Sequence, residues 1–141
     1  LKILFYQLYQ YRVDLEGIIL KPNMVIEGTE SDTRNGIDKV AEMTINCLLE
    51  SVPATTSAIA FLSGGQSPED ASAHLNAMHT QFKNHLPWIV SFSFARALQQ
   101  PVLEIWKGED SNIAKAQKSL FMRAKLNALA RQGQYNAAME D

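Results

Sequence analysis

Apolar and polar residues recur along this chain with two different periods, and the period changes from segment to segment. Residues 1–11 carry apolar side chains at helical spacing, which predicts the last turns of a helix packed against a sheet. Three short apolar runs, at residues 18–20, 57–62 and 88–94, predict strands. The first run is aliphatic throughout, which is typical of a parallel strand covered on both faces.

Helical periodicity fills the segments between the predicted strands. Residues 27–35 are polar and predict a loop, and a helix over residues 36–51 follows, ended by Pro53. Ser67 is expected to cap the next helix, with Pro68 in its first position and acidic residues in its first turn. The residues expected to face inward are Ile37, Val40, Ala41, Thr44, Cys47 and Leu48 in the first of these helices, and Ala71, Leu75 and Met78 in the second.

The last part of the chain predicts two helices and a tail. A short helix is expected to have Pro101 near its first turn and Gly108 at its end. Ser111 is the predicted cap of a long helix that runs to about Gln132 and stops at Gly133. Residues 134–141 are predicted to be loosely held.

The alternation of strands and helices predicts an α/β fold built from βαβ units around a parallel sheet. Parallel strands have their carboxyl ends on the same side of a sheet. The predicted strands end in Lys21, in Ser63-Gly64-Gly65, and in a segment that holds Ser93, Ala95 and Arg96. We therefore expect an amine, a glycine turn and a guanidinium around one pocket.

Lys21 lies at the end of a buried strand, where α/β folds build active sites. Partial desolvation disfavours the ammonium form, so a free amine that can form a Schiff base with a carbonyl substrate becomes accessible. The alternative is that Lys21 is a strand-end charge that reaches water.

The other two strand ends carry groups that suit a phosphate. Gly64 and Gly65 let backbone N–H groups approach an anion closely, and Arg96 offers a fork that matches a phosphate. Each signal alone has an ordinary alternative, a turn for the glycines and a surface charge for the arginine. Together with Lys21 they predict a phosphorylated carbonyl compound as the ligand.

Composition narrows the possible partners. The chain has 141 residues, enough for one sizeable core, and a net charge of −2 without a basic stripe, which argues against nucleic acid. No apolar run approaches the length of a membrane span, and the start does not resemble a signal peptide. Because the chain begins with Leu1 rather than Met, we expect it to be a piece of a longer polypeptide.

The cysteine and histidines predict no metal site. With Cys47 as its single cysteine, the chain cannot form an internal disulfide framework, and this fits a reducing compartment such as the cytoplasm. Cys47 is expected to be a buried packing residue in a helix rather than a nucleophile. His74 and His79 are five residues apart, which is not the helical spacing that zinc prefers, and His85 is predicted to lie in a loop. All three histidines are interpreted as surface or boundary residues. No Walker loop, GxGxxG or Gly-x-Ser-x-Gly motif occurs.

Four motifs, in order and spacing, resemble the class I fructose-bisphosphate aldolases: LEGIILKPNMV, FLSGGQS, SFSFARALQ and LNALARQGQY. The resemblance implies a TIM (β/α)8 barrel, of which residues 1–141 would be the carboxyl-terminal part of a single domain, the sixth to eighth βα units. A complete barrel needs about 250 residues, more than this chain provides. The resemblance also implies a cytoplasmic homo-oligomer, usually a tetramer, that acts on a sugar phosphate without a metal or other cofactor.

The resemblance assigns roles to residues of these motifs. It implies that Lys21 is the Schiff-base nucleophile and that Ser63, Gly64 and Arg96 bind substrate phosphate. Ala95 stands where the family often has glycine, but it still offers a backbone N–H. Ser93 matches a further pocket position.

The implied reaction is reversible cleavage of fructose 1,6-bisphosphate to dihydroxyacetone phosphate and glyceraldehyde 3-phosphate, in glycolysis and gluconeogenesis. The family's acid/base glutamate, second lysine and aspartate belong to earlier strands that this sequence lacks. Animal members end in a functional tyrosine, whereas Tyr135 is not the last residue here. The isolated chain is therefore expected to lack full catalysis.

Two other interpretations stay open. One is another Schiff-base sugar-phosphate lyase of the transaldolase kind, which would not predict the SGGQ and SFARAL motifs together. The other is a catalytically silent, partner-binding domain that resembles an aldolase. Loss of Lys21 or Arg96 would have favoured that domain, and both residues are present.

Overall fold

The computed structural model describes residues 1–140 and shows helices and strands in alternation. The strands are β1 (Ile19–Leu20), β2 (Ala58–Phe61) and β3 (Ile89–Phe92). The helices are α1 (Lys2–Gln10), α2 (Ile37–Ser51), α3 (Pro68–Gln81), α4 (Arg96–Trp106) and α5 (Ile113–Arg131). Short 3₁₀ turns occupy Leu15–Gly17, Lys83–His85, Asp110–Asn112 and Ala137–Met139.

The strands form one parallel sheet in the order β1-β2-β3. The register pairs Ile19 with Ala58, and Ala58 in turn with Ile89. Neighbours in sequence are thus neighbours in the sheet, and each crossover runs through a helix. The predicted α/β fold with a parallel sheet is confirmed, with strands shorter than the apolar runs suggested.

The two faces of the sheet differ in burial. Ile59, Phe61 and Val90 are at most 2% exposed and share one apolar core with α2, α3 and α5. On the opposite face Ile19 and Ile89 are 66% and 60% exposed. The prediction that the first strand is covered on both faces is wrong for this chain, because the face of the sheet that carries Ile19 and Ile89 is largely exposed.

Two expectations about buried helix positions are also wrong. In α1 only Phe5 is buried, whereas Leu4 and Tyr9 are exposed, because little of the described chain packs against this helix. In α2 Cys47 is exposed and Ile45 is buried instead, since the apolar face is rotated toward Ala41, Ile45 and Leu48.

The start of α3 confirms the capping prediction. The Asp70 N–H donates to Ser67 Oγ at 3.0 Å, and Pro68 occupies the first helical position. Ala71, Leu75 and Met78 are fully buried, as their spacing predicts.

The last two helices begin elsewhere than predicted. Because α4 already begins at Arg96, Pro101 lies in its interior rather than its first turn. Ser111 lies in a 3₁₀ turn and Asn112 takes the N-cap position of α5, so Ser111 is not the cap. Gly108 and Gly133 have φ values of +78° and +71° and follow the ends of these helices, as predicted.

The segment after α5 is anchored through Glu140, so the prediction of a loosely held tail is wrong for residues 134–140. Tyr135 is buried, its N–H donates to Asn76 Oδ1 at 2.9 Å, and its hydroxyl donates to Glu140 Oε1 at 2.8 Å. Glu140 also pairs with the buried guanidinium of Arg123. Asp141, the last residue of the predicted tail, lies outside the described residues.

Candidate active site at the carboxyl edge of the sheet

The carboxyl ends of the three strands surround one pocket of about 220 Å³. It collects all six residues that the sequence singled out, together with Leu62. Its lining is Lys21, Leu62, Ser63, Gly64, Ser93, Ala95 and Arg96. The structure therefore brings these six residues together at one edge of the sheet.

Hydrogen bonds beyond the sheet hold the three strand ends together. The Leu62 N–H donates to Pro22 O at 3.0 Å, which extends the pairing of β1 and β2 past Lys21. The Ser93 N–H donates to Phe61 O at 2.8 Å, which does the same for β2 and β3. The pocket thus lies on a hydrogen-bonded framework rather than among free loops.

Ser63 connects the glycine turn to the start of α4. The side chain is 3% exposed, and its Oγ accepts a hydrogen bond from the Ala97 N–H at 3.2 Å. A serine hydroxyl that accepts one bond still has a proton to donate. Ser63 can therefore position α4 and donate to a ligand at the same time.

The amino terminus of α4 borders this pocket through Ala95 and Arg96. The Leu98 and Gln99 N–H groups donate to Ala95 O, and the Ala97 N–H donates to Ser63. Within residues 1–140 the N–H groups of Ala95 and Arg96 have no acceptor. Free N–H groups and the helix dipole together favour an anion at such a terminus.

The charges around the pocket are positive. Lys21 and Arg96 are exposed, and in the described part of the chain no carboxylate lies within ion-pair distance of either. A β-carbon at Gly64 would lie 3.3 Å from Leu62 Cδ1 and 3.9 Å from Arg96 Nη2, so glycine leaves room beside the guanidinium. These charges suit an anionic ligand.

The expected partial burial of the Lys21 amine is not found in this chain. Lys21 follows the edge strand β1, beyond which no further strand of the described chain lies.

The comparisons with known proteins agree with this geometry. The family model described as "Fructose-bisphosphate aldolase class-I" matches residues 1–141. The chain belongs to the class I fructose-bisphosphate aldolases.

Individual aldolases show how much of the family this chain represents. It is 49% identical over 136 residues to a probable class 1 aldolase of Xylella fastidiosa, covering 96% of this chain and 40% of that protein. It is 48% identical over 131 residues to the chloroplastic aldolase 2 of Pisum sativum, covering 93% of this chain and 37% of the relative. The chain therefore spans about two fifths of the curated aldolases it matches.

A solved aldolase has the same fold over this region. The Plasmodium falciparum aldolase, crystallised in complex with TRAP and a small-molecule inhibitor, superposes with a TM-score of 0.89 at 41% identity. The match covers 96% of this chain and 38% of the Plasmodium chain.

In this aldolase chain His74 is buried, so its interpretation as a surface or boundary residue is wrong. The side chain is 5% exposed, and its Nδ1 lies 2.8 Å from Gln66 Oε1. It shares the inward face of α3 with Ala71 and Leu75. Burial lowers the pKa of His74, an effect that the charges of Asp70 and Glu27 oppose.

The other two histidines do not line the pocket. His79 is half-buried and His85 is exposed. In residues 1–140 no group of three or more His, Cys, Asp or Glu side chains lies close enough to hold a metal ion. No helix of that range combines the length and apolar character of a membrane span.

Proposed function

We propose that this chain forms the sixth to eighth βα units of the (β/α)8 barrel of a class I fructose-bisphosphate aldolase. Three parallel strands in sequential order with helical crossovers support this assignment. The exposed sheet face supports it too, because Ile19 and Ile89 are large and the Ala58 between them is small. Barrel interiors are filled by layers of branched side chains from alternate strands. Residues 1–141 are then the carboxyl-terminal part of a single barrel domain.

The activity we propose is the reversible cleavage of fructose 1,6-bisphosphate to dihydroxyacetone phosphate and glyceraldehyde 3-phosphate, as in glycolysis and gluconeogenesis. The observation that carries this proposal is the single pocket that unites Lys21, the glycine turn and the start of α4. An amine and an anion cradle in one small pocket suit a phosphorylated ketone.

The ends of β2 and β3 hold the phosphate. Arg96 supplies a guanidinium fork, and the N–H groups of Ala95 and Arg96 add two donors. The hydroxyl of Ser63 and the backbone of Gly64 complete the cradle, and Ser93 lines its edge. This arrangement fixes the ligand by its phosphate and leaves its ketone near the Lys21 turn.

Lys21 then acts as the nucleophile. Its free amine adds to the substrate ketone and water leaves, which gives an iminium ion. The iminium draws electrons from the C3–C4 bond as that bond breaks, and glyceraldehyde 3-phosphate departs. Protonation and hydrolysis of the remaining enamine release dihydroxyacetone phosphate and regenerate the amine. The lining holds no carboxylate, so the group that moves protons in these steps belongs to the rest of the full-length polypeptide.

The remaining properties are proposals of the same kind. The iminium formed on Lys21 serves as the electron sink, so the reaction as proposed uses no cofactor. We propose that the full-length protein is a homo-oligomer, a tetramer, in the cytoplasm. Localisation tests the compartment, and a chloroplast location, as in the name of the pea relative, would overturn this part of the proposal. If no Schiff base forms on Lys21, the alternative function is that of a catalytically silent binding domain.

Borohydride trapping tests the proposal. The full-length polypeptide that contains this chain is incubated with dihydroxyacetone phosphate, reduced, digested and mapped by mass spectrometry. We expect the reduced adduct on the peptide that contains Lys21, and none in Lys21→Arg, which keeps the charge but cannot form the iminium. Folded protein that binds the substrate without forming an adduct would overturn the Schiff-base mechanism and leave a binding role. The 141-residue chain alone is expected to give no adduct, because its pocket lacks the group that moves protons.

A further inference from the structure

A line of side-chain hydrogen bonds joins the interior of α3 to the segment after β1 that carries Lys21. Asn23 Nδ2 donates to Gly64 O at 3.3 Å, and Gln66 Nε2 donates to Asn23 Oδ1 at 3.5 Å. Gln66 Oε1 in turn lies 2.8 Å from His74 Nδ1. The line therefore runs from Gly64 through Asn23 and Gln66 to His74.

The direction of each bond follows from the groups at the two ends. The Met24 N–H also donates to Asn23 Oδ1, at 2.9 Å, so the oxygen of this amide faces donors and its nitrogen faces the Gly64 carbonyl. Gln66 must then offer its NH₂ group to Asn23 and its oxygen to His74. His74 completes the line only if Nδ1 carries a hydrogen.

The far end of the line is buried. His74 is 5% exposed within α3, a helix tied to α5 by the Ser72 hydroxyl, which donates to Asn127 Oδ1 at 2.7 Å. Asn23 and Gly64 lie just beyond the last bond between the ends of β1 and β2, in which the Leu62 N–H donates to Pro22 O at 3.0 Å. The line connects both residues to α3.

We infer that Asn23, Gln66 and His74 are positioning residues that hold the Lys21 amine at a fixed separation from the phosphate cradle at Gly64. Asn23 lies two residues after Lys21, and it bonds directly to Gly64, the cradle residue. This inference rests on the proposed function, because it concerns the distance between the Lys21 amine and the phosphate cradle of the proposed site.

A change in the distance between the amine and the cradle affects substrates unequally. A phosphorylated ketone must meet the amine and the cradle together, so a shift of one against the other slows its reaction. Dihydroxyacetone has no phosphate, and its reaction depends on the amine alone. The ratio of the two trapping rates therefore reports the distance between the amine and the cradle. General damage to the fold lowers both rates together.

The test compares two variants of His74 in the full-length polypeptide. His74→Leu removes the donor to Gln66, and His74→Asn keeps an N–H donor near the position of Nδ1. The rates of borohydride trapping on Lys21 are measured with dihydroxyacetone phosphate and with dihydroxyacetone. We expect His74→Leu to lower the ratio of the two rates about tenfold, and His74→Asn to restore it to within about threefold of the unaltered protein.

Gln66→Met provides a second break in the line in case His74→Leu does not fold, and the same loss of ratio is expected. An unchanged ratio in the folded variants, or an equal loss with both substrates, overturns the inference while the proposed function stands. An unaltered protein that forms no adduct with either compound overturns the proposed function itself, and the inference with it.

Discussion

Gly65 allows a substitution whose cost follows directly from the structure. Its φ is +80°, and a β-carbon built there would lie 2.9 Å from Ile26 Cδ1. In Gly65→Ala the left-handed backbone costs about 1–2 kcal/mol, and displacing the Ile26 side chain from its rotamer costs about 1 kcal/mol. We therefore expect the turn that carries Ser63 and Gly64 to lose about 2–3 kcal/mol of local stability.

Hydrogen exchange measures this loss at the turn itself. The Gln66 N–H donates to Ser63 O at 3.3 Å and closes the turn, so its exchange reports the opening of that turn. A loss of about 2–3 kcal/mol corresponds to exchange about 30- to 150-fold faster in the full-length polypeptide. A change of less than about threefold, the range of ordinary surface substitutions, would refute the reasoning.

Ile26→Val separates the two parts of the cost, because it removes the Cδ1 atom that the new β-carbon would meet. In the Gly65→Ala background we expect it to recover about 1 kcal/mol, so that Gln66 exchange slows about fivefold. In the unaltered background Ile26→Val should instead speed exchange slightly, since it removes an apolar contact. If it speeds exchange equally in both backgrounds, the β-carbon at position 65 does not meet Ile26.

Two further predictions concern the tail and the histidines. Arg123→Met leaves Glu140 without its buried partner, so we expect a loss of about 3–5 kcal/mol and faster exchange of the Tyr135 N–H. Lys125→Met, at an exposed position of α5, is the matched control, and equal exchange in both variants would contradict the assigned anchor. Burial lowers the pKa of His74 and of His79 below the ordinary 6.5, so the unfolded chain binds protons there that the folded chain does not. Stability should fall as the pH drops below 6.5, and His74→Asn should reduce this dependence; unfolding temperatures at about pH 7.5 and 5.5 that rise with acidification would contradict the assignment.

The candidate site could be predicted because its signals are local. Lys21, the Ser63-Gly64 pair and Arg96 each follow an apolar run, and the rule that parallel strands end on one side brings them together. No long-range information was needed to expect one pocket, and the structure contains one.

Contacts between distant segments could not be predicted. Gln66 and Asn23 are 43 residues apart, and Asn23 and Gly64 are 41 apart, so no periodicity relates them. The burial of His74, by contrast, was open to prediction, because His74 lies three residues after Ala71 and four before Met78 on the face of α3 expected to point inward.

The sequence by itself determined the order of helices and strands, the parallel sheet and the edge at which the chemistry gathers. These follow from hydrophobic period, caps and breakers, which act over a few residues. Only the tertiary structure decided that α4 begins at Arg96, where the Ser63 hydroxyl accepts the Ala97 N–H, and that the tail is anchored on Arg123. It also decided the exposure of Cys47, Ile19 and Lys21, because burial depends on which segments pack against a residue rather than on the residue itself.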